Sequence, residues 1–110
     1  MSNGDGAVVG VAMLWPLPGR ESEVEQACRA AVRSTHGEPG CQRFALHRVS
    51  DGGGGFAIIE RWDSAGSLHE HTERPAFARL GEVLKEALAS PPSFTLLEPL
   101  PDGDGQLGSI

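Results

Sequence analysis

Apolar residues in this chain fall into four short runs and three stretches of helical spacing, separated by glycine- and proline-rich breaks. Residues 7–15 form a nearly continuous apolar run between Gly6 and Pro16, whose length and valine content predict a strand buried on both faces. Residues 22–34 carry Val24, Ala27, Cys28, Ala31 and Val32 on one helical stripe. Ser22 and Glu25 match a capping box, with a start one turn earlier, at Gly19, as the alternative. After His36-Gly-Glu-Pro-Gly40, residues 41–50 read as a second strand. Asp51 and four glycines then lead to a third strand at residues 56–62, so a hairpin with a mobile tip is expected. Residues 65–72 suit a short helix, and Pro75 suits the first position of another. Phe77, Leu80, Leu84 and Leu88 predict a buried stripe on that last helix. Ser90-Pro-Pro92 breaks it before a final strand at residues 93–100.

The order is β-α-β-β-α-β with the second helical region split in two. It predicts an α+β, ferredoxin-like domain at residues 7–100, with helices on one face of an antiparallel sheet. Residues 1–6 and 101–110 are expected to be flexible. The uncovered face of such a sheet is normally polar. Here both parities of the first strand are apolar, Val8/Ala12/Leu14 and Val9/Val11/Met13, and on the third strand Phe56/Ile58/Trp62 alternate with Ala57/Ile59. A homodimer packing sheet on sheet is the expected cover.

Length and charge narrow the function. A chain of 110 residues is one domain, and its net charge of -6 argues against nucleic acid. The nine Lys and Arg are scattered along the sequence, which argues against an anionic membrane surface. No run approaches the length of a membrane span, and the polar start of the chain lacks a secretory pattern. Cys28 and Cys41 fit no disulfide framework or zinc spacing and read as reduced thiols. A cytoplasmic protein is expected.

The chemistry concentrates between Phe56 and His71. A strand ending in Trp62, a short turn and a helix bring His71 back toward that Trp, and the pair suits the border of a small apolar pocket. His71 is the candidate acid–base group, since imidazole titrates near neutrality. His47, His69 and Arg61 are weaker candidates. Glu60 and Arg61 are expected to serve ion pairing at an interface, and no second acid or base is evident beside His71. The His69-Glu-His71 triplet is not read as a metal site, because imidazoles two residues apart on a helix diverge.

Several segments together resemble the antibiotic-biosynthesis monooxygenase family. They are Pro18-Gly19-Arg20, Glu38-Pro-Gly-Cys-Gln-Arg-Phe44, Glu60-Arg-Trp62-Asp-Ser, the helix with Leu68 and His71, and Arg74-Pro-Ala-Phe77 with Leu80. The resemblance implies a dimeric α/β barrel that oxidises a small aromatic or polyketide-like substrate, with O2 as co-substrate and no metal or flavin cofactor. It implies catalytic roles for His71 and Trp62, and a substrate slot lined by Phe44, Phe77, Met13 and Leu68. Heme-degrading relatives use an Asn and a His where this chain has Ala12 and Gly81, so heme is disfavoured. A non-catalytic, dimeric ligand-binding or stress-associated protein is the alternative, and an isomerase or decarboxylase of the same plan stays open.

Overall fold

The computed structural model describes residues 6–110; the expectation of flexibility for residues 1–5 lies outside the described part. In chain order the elements are β1 (Val8–Leu14), α1 (Glu21–Thr35), β2 (Cys41–Arg48), β3 (Phe56–Trp62), α2 (Ala65–His71), α3 (Pro75–Ala87) and β4 (Ser93–Leu97). The sheet is antiparallel throughout with order β2-β3-β1-β4, the ferredoxin-like arrangement expected from the sequence. β2 and β3 form the predicted hairpin, closed by the Val49 amide donating to the Gly55 carbonyl.

Register assigns the faces. Val8, Gly10, Ala12 and Leu14 of β1 pair with Trp62, Glu60, Ile58 and Phe56 of β3, so these side chains share one face. That face carries the core, in which Leu14, Phe44, Phe56, Ile58 and Trp62 meet Val24 and Cys28 of α1 and Leu84 and Ala87 of α3. α1 lies over β2, α2 against β3, and α3 packs on α1. No helix closes over β4, whose five residues are all exposed. The opposite face presents Val11, Met13, Ala57 and Ile59, half-buried and without a covering layer of helices.

Two local expectations are corrected. α1 begins at Glu21 with Arg20 as its N-cap, so Ser22 and Glu25 form no capping box. The Gly19 amide donates to the Glu21 carboxylate and Arg20 pairs with Glu23, which closes the first turn one residue ahead of Ser22. On α3 the buried residues are Ala76, Leu84 and Ala87, whereas Phe77 is 43% exposed. Small residues let α3 approach α1, and Phe77, about 100° further round the helix, is turned toward α2. Residues 101–110 fold back on the bare sheet face. Asp104 accepts from the amides of Gln106 and Leu107, and Arg61 Nη1 donates to the Ile110 carbonyl at 2.8 Å.

One turn positions everything that follows. Gly40 has φ +84°, and a Cβ there would fall on Ser67 Oγ and Asp63 Oδ1. Its carbonyl accepts from the Asp63 amide at 2.9 Å, which docks the turn before β2 onto the start of α2. Ser64 caps α2 by accepting from the Ser67 amide. Gly40→Ala is expected to cost about 2–4 kcal/mol, combining a left-handed backbone penalty with overpacking. Chemical denaturation would measure it; a loss under about 0.5 kcal/mol would show that the turn is not so constrained.

Candidate functional site

The strand-turn-helix from β3 to α2 brings Trp62 and His71 together, their ring centroids 4.8 Å apart at 36°. Phe44 on β2 lies 5.4 Å from His71 and 6.5 Å, edge-on, from Trp62. Phe77 meets the imidazole edge-on at 5.4 Å. His71 is therefore enclosed by three aromatic rings and is 5% exposed, while Trp62 is fully buried.

The imidazole is held by a residue distant in sequence. His71 Nδ1 lies 2.8 Å from Glu38 Oε1, and both side chains are almost completely buried. A carboxylate only accepts, so opposite one Nδ1 is the donor, and a neutral imidazole in that tautomer holds its lone pair on Nε2. Arg74 Nε stands 3.9 Å from the same Glu38 oxygen. Glu38 reaches this position because its turn is bonded at both ends: its amide donates to the Thr35 carbonyl, and its carbonyl accepts from the Cys41 amide. No described residue hydrogen-bonds Nε2. Among the described residues Thr35 Oγ1 is the one fully buried side-chain polar atom without a partner.

A second carboxyl meets the indole N–H. Glu60 is 4% exposed, and its Oε1 accepts from Trp62 Nε1 at 2.8 Å. Burial raises its pKa above the ordinary glutamate value and outweighs the Trp62 hydrogen bond and the nearby His71, both of which act the other way; Glu38 adds to the rise. The Phe94 ring occupies the space that a side chain at Gly10 would fill, beside Glu60 Cγ. Phe94 and Leu96 remain about half exposed, so the helix-side surface next to Glu60 is open and apolar.

The candidate residues are therefore not all in one place. Phe44, Trp62, His71 and Phe77 form one cluster, and Leu68 packs at the margin of the core beneath it. Met13 lies on the opposite sheet face, level with Ala57 and Ser93, and cannot line the same slot. Glu60 and Arg61 do not pair, because consecutive strand residues point to opposite faces. Arg61 instead donates to Gln42 Oε1 at 2.7 Å and to the Ile110 carbonyl. The chain does supply acids beside His71, namely Glu38 and Glu60, contrary to the sequence reading. His47 and His69 stand apart: His47 is exposed on edge strand β2, and His69 is exposed and faces Glu73 at 3.6 Å. Cys28 belongs to the core, where burial pushes its pKa up to about 11. Two surface clefts, one lined by Arg29, Arg33, Arg48 and Phe56 and one by Val9, Leu97 and the C-terminal segment, do not include His71 or Trp62.

The aromatic cage and its held histidine occur in a recognisable sequence frame. Residues 7–82 match the sequence profile of the family described as antibiotic biosynthesis monooxygenase. The chain belongs to that family. The solved structure of Rv0793 from Mycobacterium tuberculosis is 28% identical, covering 89% of this chain and 99% of its own, with a TM-score of 0.83. PA3566 from Pseudomonas aeruginosa is 24% identical over 84% of this chain and 93% of its own, with a TM-score of 0.79, a likeness of fold. A structure described as an antibiotic biosynthesis monooxygenase is 23% identical over 86% of this chain and 99% of its own, with a TM-score of 0.80, again a likeness of fold. No curated protein matches this chain in sequence. This antibiotic biosynthesis monooxygenase relative has no helix, among its described residues, long and apolar enough to cross a membrane.

Proposed function

We propose that this protein is a cofactor-independent monooxygenase or quinol oxidase acting on a small aromatic or polyketide-like substrate, with O2 as co-substrate. The carrying observation is the orientation of His71: Nδ1 is fixed on Glu38, and Nε2 is free inside an aromatic enclosure. Such a base can take the proton of an acidic aromatic hydroxyl or activated methylene. The resulting carbanion or phenolate is electron-rich enough to pass one electron to O2. Recombination of the two radicals then forms a carbon–oxygen bond. The apolar surroundings lower the dielectric and keep water from quenching the intermediate. Phe77, Phe94 and Leu96, each largely exposed on the helix side, offer the surface against which the rings of a substrate rest.

The alternative, a dimeric ligand-binding protein without chemistry, is favoured by one observation. Phe44 and Phe77 pack directly on His71, which leaves little room for substrate unless Phe77 swings outward. Oxygen uptake with 1,8-dihydroxyanthrone separates the two readings. Consumption above the enzyme-free rate, with the quinone as product, is expected; binding without uptake would select the alternative.

The second part of the proposal is a homodimer joined through the bare sheet faces. Val11 and Ile59 are cross-strand partners near the middle of that face, flanked by Thr95 of β4 and Ala45 of β2. Ile59→Lys places a charge in the interface while leaving the helix-side site untouched, because its side chain points away from His71. Light scattering should give twice the chain mass for the native protein and the single-chain mass for this variant. A native protein of single-chain mass at micromolar concentration would remove this part of the reading.

A further inference from the structure

Among the described residues Thr35, Glu60 and His71 are the buried polar side chains, and the reaction outlined above leaves Glu60 unused. Burying a carboxyl without a cation against it is costly, so its retention there calls for a role. The charged or titratable groups facing it are His71 from α2 and Glu38 from the turn before β2; β4 contributes Phe94, and β1 contributes Gly10. Trp62 Nε1 holds Oε1 at 2.8 Å. Oε2 has no hydrogen-bond partner among the described residues. The Phe94 ring of β4 fills the space over Gly10 and packs beside Glu60 Cγ. One oxygen is thus clamped by the same indole that stacks on the His71 ring, which places the carboxyl within the aromatic cluster of the site.

We propose that Glu60 is a second catalytic residue of this site, a proton carrier for the oxygen half of the reaction. The inference rests on the monooxygenase reading. After His71 takes the first proton of a ring methylene and O2 adds to the carbon, the substrate carries a peroxide anion. Glu60 gives its proton to the outer peroxide oxygen. The resulting carboxylate removes the remaining C–H proton as the O–O bond breaks, the C–H electron pair forms the carbonyl, and hydroxide leaves. Hydroxide takes the proton held on His71 and departs as water. The methylene carbon is oxidised to a carbonyl by four electrons, O2 accepts all four, and both side chains return to their starting forms. Burial raises the Glu60 pKa above the ordinary glutamate value, the direction this step requires.

Glu60→Gln tests it, because the amide oxygen still accepts from Trp62 Nε1 while the group can no longer carry a proton. With 1,8-dihydroxyanthrone, the wild-type protein should form about one quinone per O2 consumed. The variant should keep oxygen uptake within about threefold but form quinone at least about tenfold more slowly, with peroxide products detected in its place. Glu60→Asp, which keeps the acid on a shorter stem, should restore part of the quinone yield. A Glu60→Gln protein that yields quinone at the wild-type rate and ratio would leave Glu60 only as the anchor of Trp62 and overturn the inference. No oxygen uptake by the wild-type protein would overturn the monooxygenase reading itself. Carbon-13 NMR of the labelled carboxyl is a readout independent of turnover: its titration should lie above the ordinary glutamate range, and an ordinary value would count against the donor role.

Discussion

Replacing His71 by alanine is expected to lower oxygen-dependent turnover by about 10²–10⁴-fold, the span over which a positioned general base contributes. The size follows from the geometry. Nδ1 is committed to Glu38 at 2.8 Å, so Nε2 is the one imidazole atom able to receive a substrate proton, and its tautomer is set in advance. Glu38→Gln should fall less, by about tenfold to a hundredfold in kcat with a smaller change in KM, because the amide can hold the ring but cannot stabilise the imidazolium. The two variants separate a chemical role from a structural one. A packing role predicts a lower melting temperature in His71→Ala with turnover per folded molecule unchanged. Initial rates from an oxygen electrode, normalised to the folded fraction, decide the matter; retention within about threefold would remove His71 as the base.

The strands and helices were legible because each is a local pattern. The approach of His71 to Trp62 was legible for the same reason, since a strand end, a capped turn and two helical turns separate them. Glu38 was not legible, because it lies far from His71 in sequence and arrives through a docked turn. The visible signal was Gly40 ahead of a strand, but its partners Asp63 and Ser67 belong to another segment, and no spacing rule joins the two. Glu60 was a different kind of miss. It shares parity with Phe56, Ile58 and Trp62, so alternation alone places it on the core side. Arg61, its neighbour on the strand, faces the opposite way. The same alternation removes Met13 from the site, since Ala12 and Leu14 face the helices. Phe77 has helical spacing with Leu84, yet the close packing of Ala76 and Ala87 against α1 turned it outward over His71. Spacing identifies a stripe; which residues at its edge are covered depends on how near the neighbouring helix comes.

Trp62 is expected to be among the most costly positions to truncate. It is fully buried at the junction of β1, β2 and β3, where Val8 and Cys41 are its cross-strand neighbours. Trp62→Ala should cost about 3–5 kcal/mol through lost burial and an unfilled cavity. Trp62→Phe keeps much of the packing and deletes the hydrogen bond to Glu60, so its cost should depend on pH. Glu60 has a folded pKa raised above 4.5, so the folded chain holds this proton more tightly than the unfolded chain. Its contribution is fully present below 4.5 and is lost as pH rises through the folded value. The Trp62 N–H favours the charged form and moderates that loss. Without it the folded pKa rises further, and the fall in stability grows steeper and reaches higher pH. Beyond a constant packing loss, the missing bond should cost about 1 kcal/mol while the carboxyl is neutral and about 1.5–3 kcal/mol once it is ionised. Urea unfolding of both proteins across that range is the measurement. A stability difference that stays constant with pH would mean that Glu60 does not ionise in contact with the indole, and that Trp62 acts by packing alone.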